Sequence, residues 1–274
     1  MHSIKLFLPV IFSIGIIVAS CTSKDPGKRI LRAAVDADEL PSLKDKKVLM
    51  VYGGWPGHKP KEFTEKISEL LKKEGAIVTV SDSVDVYADK SIMSSVDLII
   101  QSITMDKINK EQIEGLVKAV KGGVGFAGTH GGFCDAFREN TTYQYMTGGQ
   151  FVAHPGGQIK YTVNILDKND LITRGFDDFD TKTEQYYMHV DPNVKVLATT
   201  TFDGKHDDWI EGAIMPVIWK KYFAKGRIFY LALGHNPEEF DQPEVQKLLM
   251  NGLKWASGSK YLPKEDWLNP VYQD

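Results

Sequence analysis

Cysteine is nearly absent: Cys21 and Cys134 are the only two in 274 residues. No disulfide framework can brace such a chain, so its stability has to come from a packed core. Positive charge is not in surplus either, with 33 Lys and Arg against 36 Asp and Glu and a formal net charge of -3. That balance gives no electrostatic footprint for nucleic acid, and none is expected as a partner. Beyond the N-terminal segment there is no internal repeat, low-complexity tract or second domain boundary. What is present, 42% hydrophobic and 25% charged residues, suits one large α/β domain or two small ones.

The N-terminus has to be set aside before any fold reasoning. Lys5 precedes the apolar run Leu6 to Ser20, which is short and interrupted by Pro9, and residues 1–20 read as a signal peptide. Val18-Ala19-Ser20 before Cys21 resembles a lipobox, in which the cysteine becomes the lipidated first residue of a bacterial lipoprotein. Thr22 follows, so no aspartate signals inner-membrane retention. The expectation is a cell-envelope protein held at the outer membrane facing the periplasm, touching the membrane through its lipid anchor only; an ordinary signal peptide or a membrane-anchored start are the alternatives. Residues 21–45 are polar and aperiodic and read as a flexible tether.

From residue 46 an alternation begins. Val48 to Tyr52 is an apolar run ending in Gly53-Gly54, a buried strand delivering a loop over residues 53–60. Residues 61–74 place Phe63, Ile67, Leu70 and Leu71 on one helical face, and Gly75 supplies the stop. Strands follow from Ala76, over 96–101 and over 123–128, with a helix over 110–121 between the last two. Strands alternating with amphipathic helices predict right-handed crossovers, a mainly parallel sheet covered on both faces, and ligands beyond the strands' C-terminal ends. After about residue 145 the pattern turns β-rich: 158–166 as an antiparallel or edge strand, 194–201, and a hairpin of 216–219 with 227–233. Residues 243–257 form a closing helix, and 258–274 an extension packed on the domain.

Six of the seven histidines lie beyond His2, and four stand beside Gly or Pro at inferred strand ends: His58, His130, His154 and His235. Gly128-Thr129-His130-Gly131-Gly132 follows the strand-to-helix elbow that exposes an attacking Ser or Cys, but with an imidazole at the exposed position. The strand Arg227 to Leu233 ends in Gly234-His235-Asn236-Pro237-Glu238-Glu239. This ending resembles the one that carries the catalytic His and Glu of class I glutamine amidotransferases, with Asn236 lengthening the spacing. Without the elbow sulfur the thiolate chemistry cannot run, so a glutaminase is not expected. Cys134, four residues past the elbow histidine, reads as a packing residue, as do Trp209, Trp219, Trp255 and Trp267.

Taken in order, VLMVYGGWPGHKP, GVGFAGTHGG, GGQFVAHPGGQ, Thr183-Glu184-Gln185-Tyr186 and PVIWKKYFAKGRIFYLALGHNPEEF resemble the ThuA-like (trehalose utilisation) family, a branch of the class I glutamine amidotransferase-like superfamily. The resemblance spans residues 46–257. It implies a flavodoxin-like three-layer sandwich with extra β-rich insertions in the second half, and a connection with sugar metabolism. Trp55-Pro56-Gly57-His58 departs from the family's usual Arg or Phe before the histidine; the indole of Trp55 offers a stacking surface for a pyranose ring, or a loop anchor.

The site expected from these residues has His235 as general acid or base, with Glu238 or Glu239 orienting its other nitrogen. Glu184 is the second carboxyl group and His130, at the start of a helix, a neutral imidazole. His58, His154, Trp55, Tyr186, Gln150 and Glu238 are the substrate-binding candidates, with a small-molecule carbohydrate as the partner. This equipment suits proton abstraction beside a carbonyl followed by elimination, isomerisation or glycosidic cleavage, with no cofactor. Two other readings stand beside it. One is a zinc or other divalent-metal site from His58, His130, His154 and His235 with Glu184, although no H-x-H, H-x-x-x-H or H-E-x-x-H spacing provides a local chelate. The other is a non-catalytic sugar-binding module, to which Gln185 and Trp219 would also contribute. Nothing in the sequence sets an oligomeric state.

Overall fold

The structure, a computed structural model, describes residues 39–265. The signal peptide, Cys21 and Trp267 lie outside the described residues, and among these no helix is long and apolar enough to cross a membrane.

Five strands form the parallel half of a nine-stranded sheet: β1 (Lys47–Gly54), β2 (Ile77–Ser81), β3 (Leu98–Thr104), β4 (Gly125–Thr129) and β11 (Gly226–Leu231). Their order, β2-β1-β3-β4-β11, is that of flavodoxin-like sheets. Every residue of β3, β4 and β11 is buried, as their apolar runs demand of central strands, whereas β2 lies at the edge and is largely exposed. The helices are α1 (Pro60–Lys73), α2 (Lys90–Ser95), α3 (Lys110–Lys121), a single turn α4 (His130–Cys134), α5 (Thr141–Thr147) and α6 (Pro243–Ser257). Phe63, Ile67 and Leu71 of α1 and Ile113, Leu116 and Val120 of α3 are buried, the faces their spacing predicts.

The second half departs from the parallel plan. Antiparallel β10 (Ile214–Phe223) continues the sheet from β11, followed by β9 (Lys195–Thr201), β6 (Gln158–Ile165) and β7 (Phe179–Glu184) at the far edge. A separate pair joins β5 (Gly149–Ala153) to β8 (Tyr187–Val190). The architecture is thus the expected α/β sandwich with β-rich insertions, its parallel core confined to one side.

Several local expectations need correction. The tether ends sooner than residue 45: Leu43 is wholly buried, Leu40 packs on the core, and the Asp45 N–H donates to the Gly75 carbonyl. Trp219 and Trp255 are buried, but Trp209 is 75% exposed. Within the extension, residues 258–265 do pack on the domain, where Arg227 donates to the Pro263 carbonyl and Glu265 meets Lys220.

Candidate active site

The parallel strands deliver their loops to one edge, and three histidines converge there. His58 ends a 3-10 turn (Pro56–His58) after β1, His130 follows β4 directly, and His235 lies four residues beyond β11. Glu184 arrives from the inserted half, as the last residue of β7. His58 and Glu184 are each 8% exposed and His130 1%, while the His235 side chain is 12% exposed.

The elbow keeps the backbone geometry of a nucleophile turn. His130 has φ +49°, a left-handed conformation that costs a non-glycine residue energy and persists only where its surroundings hold it. What holds it is visible: its Nδ1 lies 2.8 Å from the Ala232 carbonyl, its ring stacks on Tyr186 at 4.1 Å, and the Tyr230 hydroxyl donates to its carbonyl. Gly131 is required beside it, because a Cβ there would come within 2.5 Å of His58 Cε1.

Around Glu184 the contacts are asymmetric. Oε2 is 3.0 Å from His130 Nε2 and 3.1 Å from His235 Nδ1, while Oε1 is 3.7 Å from Nε2 of the half-exposed His154. His235 Nδ1 is buried and has no hydrogen-bond partner, its approach to Oε2 lying off the line a hydrogen bond requires. His58 Nδ1 meets the Thr104 hydroxyl at 2.9 Å, and its ring stands edge-on to Trp55, His130 and His235 at 4.7–5.0 Å. Burial, with His130 and His235 adding to it, lowers the His58 pKa to about 3, so this ring is neutral at ordinary pH. Burial works against charge on Glu184, yet the contacts with His130 and His235 outweigh it and hold the carboxyl well below the usual range.

The structure thus gathers His58, His130, Glu184 and His235, with one ligand-capable atom from each inside a 4.8 Å span. His154 stands at the margin, Tyr186 is buried beneath His130, and Trp55 is 43% exposed beside His58.

Other expectations are corrected. Glu238 pairs with Lys59 on the surface, both side chains well exposed. Glu239 does not meet the His235 ring; its carboxylate accepts from the Gly234 and Asn236 N–H groups. The extra Asn236 caps the following 3-10 turn, which ties this carboxylate to the backbone instead of to the imidazole. The Gln150 amide serves the Phe151 carbonyl and the Asp135 carboxylate. Gln185 donates to the Thr200 hydroxyl and the Trp219 indole to the Thr147 carbonyl, so both are spent on the interior. Cys134 is buried, with burial pushing its thiol pKa up. Two contributors carried no signal in the sequence: Thr104 at the end of an apolar strand, and the Ala232 carbonyl.

Solved structures with this fold include ThuA-like proteins from Bacteroides uniformis ATCC 8492 and Parabacteroides merdae ATCC 43184. Each is 19% identical with a TM-score of 0.66; the matches cover 81% of this chain and 94% and 93% of theirs. A cytoplasmic protein from Salmonella typhimurium LT2 is 12% identical with a TM-score of 0.54, over 76% of this chain and 98% of its own. No curated protein matches. Residues 47–256 match the family described as ThuA, trehalose utilisation, so the chain that carries this histidine and glutamate basin belongs to the ThuA family.

Proposed function

We propose that this protein processes a carbohydrate in the bacterial cell envelope by acid–base chemistry, anchored through a lipid on Cys21. The family's link with trehalose utilisation supports the substrate class. The observation that carries the chemistry is the Glu184 carboxylate, faced on one oxygen by His130 and His235 and on the other by His154. A buried carboxylate that stays charged beside imidazoles is equipped to orient them for proton exchange with a bound substrate, and it needs no covalent nucleophile. Proton abstraction beside a carbonyl, followed by elimination, isomerisation or glycosidic cleavage, is the reaction class it fits. The exposed indole of Trp55, next to His58, offers the apolar face of a sugar ring a stacking surface.

The test is His235→Gln in the full-length protein, incubated with glycosides and their 3-keto derivatives and read by mass spectrometry. Turnover is expected to fall by about 10²- to 10⁴-fold, the usual share of general acid–base catalysis, with sugar affinity retained. Intact turnover, loss of affinity together with turnover, or saturable binding with no product from the unmodified protein would each overturn the assignment.

A further inference from the structure

Four residues from four separate elements meet at one point, and one of their buried nitrogens, His235 Nδ1, is left without a hydrogen-bond partner. The Ala232 carbonyl only accepts, so the proton of a neutral His130 ring sits on Nδ1. Nε2 lies 3.0 Å from Glu184 Oε2, a contact that becomes a hydrogen bond only with a second ring proton. The same oxygen is approached at 3.1 Å by His235 Nδ1, which has no hydrogen-bond partner. One proton could relieve one of these approaches. Two approaches to the same carboxylate oxygen, with His58 closing a third side, call for something that takes several lone pairs at once.

We propose that His58, His130, Glu184 and His235 bind a divalent first-row transition metal ion, zinc foremost. All four offer a ligand atom within 4.8 Å of the others. Bonds of ~2.0–2.2 Å arranged tetrahedrally put neighbouring ligand atoms roughly 3.3–3.6 Å apart, so the cluster needs only small side-chain adjustments to close on an ion. Ligands of one ion are aimed at the ion and meet each other obliquely, which accounts for the off-line approach of His235 to the carboxylate. Three imidazoles are borderline donors, and as the majority beside one harder carboxylate they suit zinc, iron, nickel or copper in preference to magnesium or calcium.

The outer support is also in place. Ligating histidines in proteins commonly engage their second ring nitrogen with a carbonyl, carboxylate or similar group that fixes the tautomer. Here Nδ1 of His130 meets the Ala232 carbonyl and Nδ1 of His58 meets the Thr104 hydroxyl, leaving Nε2 as the remaining ring nitrogen of each. The inference does not depend on the sugar assignment, but it would change the division of labour within it. With the ion bound, the inner imidazoles donate lone pairs. Proton transfer would then fall to His154, 3.7 Å from the other carboxylate oxygen.

The test starts from full-length protein stripped with chelator and titrated with Zn²⁺ or Co²⁺ alone. Metal content is read by mass spectrometry, the Co²⁺ site by visible absorption, and stability by the thermal midpoint. About one ion per chain is expected, with a Co²⁺ spectrum of low-coordinate nitrogen and oxygen ligation and a higher midpoint in the loaded form. Glu184→Gln should weaken binding more than 100-fold, Thr104→Val by about 10- to 100-fold as an outer-shell change, and the exposed-site control His189→Gln not at all. Thr104→Val keeps every ligand, so it still tests the site should a ligand variant fail to fold. Only trace metal at micromolar supply, or equal affinity in wild type and Glu184→Gln, would overturn the proposal. One ion per chain without sugar turnover would leave the metal site standing and remove the carbohydrate assignment; turnover unaffected by chelation, with no ion bound, would do the reverse.

Discussion

Two buried charged clusters among the described residues are built on opposite terms. Beneath β10, Lys220 is 1% exposed and lies 2.7 Å from Asp170 and 2.6 Å from Glu265, while Lys195 is 3.0 Å from both Asp167 and Asp170. Every charge there has an opposite charge within reach. In the basin at the end of the parallel strands, one carboxylate faces three imidazole nitrogens and one of these, on His235, has no hydrogen-bond partner. A satisfied buried network is a device of the fold; a buried polar cluster left short of partners marks a place where something else is to bind.

The largest effect should come from breaking the satisfied network. Asp170→Asn removes one of the two carboxylates that face each of Lys220 and Lys195, leaving Glu265 and Asp167 in place, and the loss is expected at about 2–3 kcal/mol by urea unfolding. Glu184→Gln, a change of the same chemistry in the basin, should cost less than this while removing turnover. Equal losses at the two positions would erase the distinction. The network also sets a pH dependence. Burial opposes charge on Asp170, but Lys220 outweighs it and holds the folded-state pKa below the ordinary value. A lowered folded pKa contributes stability that is complete above the unfolded carboxylate value of about 3.9 and disappears as pH falls through the folded value. The gap between wild type and Asp170→Asn should therefore stay level above about pH 5 and narrow below about pH 4.

An intermediate effect is expected at Gly131→Ala, where the new methyl would meet His58 Cε1 at 2.5 Å and the Tyr186 hydroxyl at 3.1 Å. Overpacking of this kind costs about 1–3 kcal/mol, and the clash falls on a His58 ring that is buried and held by Thr104. Moving His58 takes it out of the cluster. A fall of about tenfold in Co²⁺ affinity should accompany a small drop in thermal midpoint, and unchanged affinity would remove His58 from the ligand set.

The same contrast explains what was legible in the sequence. Parallel strands and their helices carry their own signals, because burial on both faces demands apolar runs such as Leu98 to Ile100 and helical faces such as Ile113, Leu116 and Val120. The positions of His58, His130 and His235 followed, since each stands just past a strand end in a glycine-rich turn. Glu184 was different: β7 reads FDTKTE, with no apolar alternation to announce a strand, and only the match to the family's Thr-Glu-Gln-Tyr segment raised it. That His235 faces Glu184 and not Glu238 or Glu239 is a tertiary fact. The β6–β7 hairpin carries Glu184 across to the parallel edge, and no local spacing encodes that crossing. Tautomer-fixing partners such as the Ala232 carbonyl leave no trace in residue identity at all.

The smallest effect should fall on the residue whose sequence neighbourhood looked most catalytic. Glu238 follows His235 by three positions, yet its side chain is 67% exposed and meets Lys59, itself 44% exposed, at 3.3 Å. Two long side chains held together in water gain little, because solvent screens the attraction and fixing both rotamers costs entropy; such pairs are worth about 0–1 kcal/mol. Glu238→Gln should accordingly shift the urea midpoint barely, and less in high salt than in low, with turnover and Co²⁺ affinity unchanged. Glu239→Gln, one residue on, should behave otherwise, since the Glu239 carboxylate clamps the Gly234 and Asn236 N–H groups on either side of His235. A loss of turnover in Glu238→Gln equal to that in Glu239→Gln would mean that the loop presents Glu238 to the basin, and the boundary between surface and site drawn above would have to move outward by one side chain.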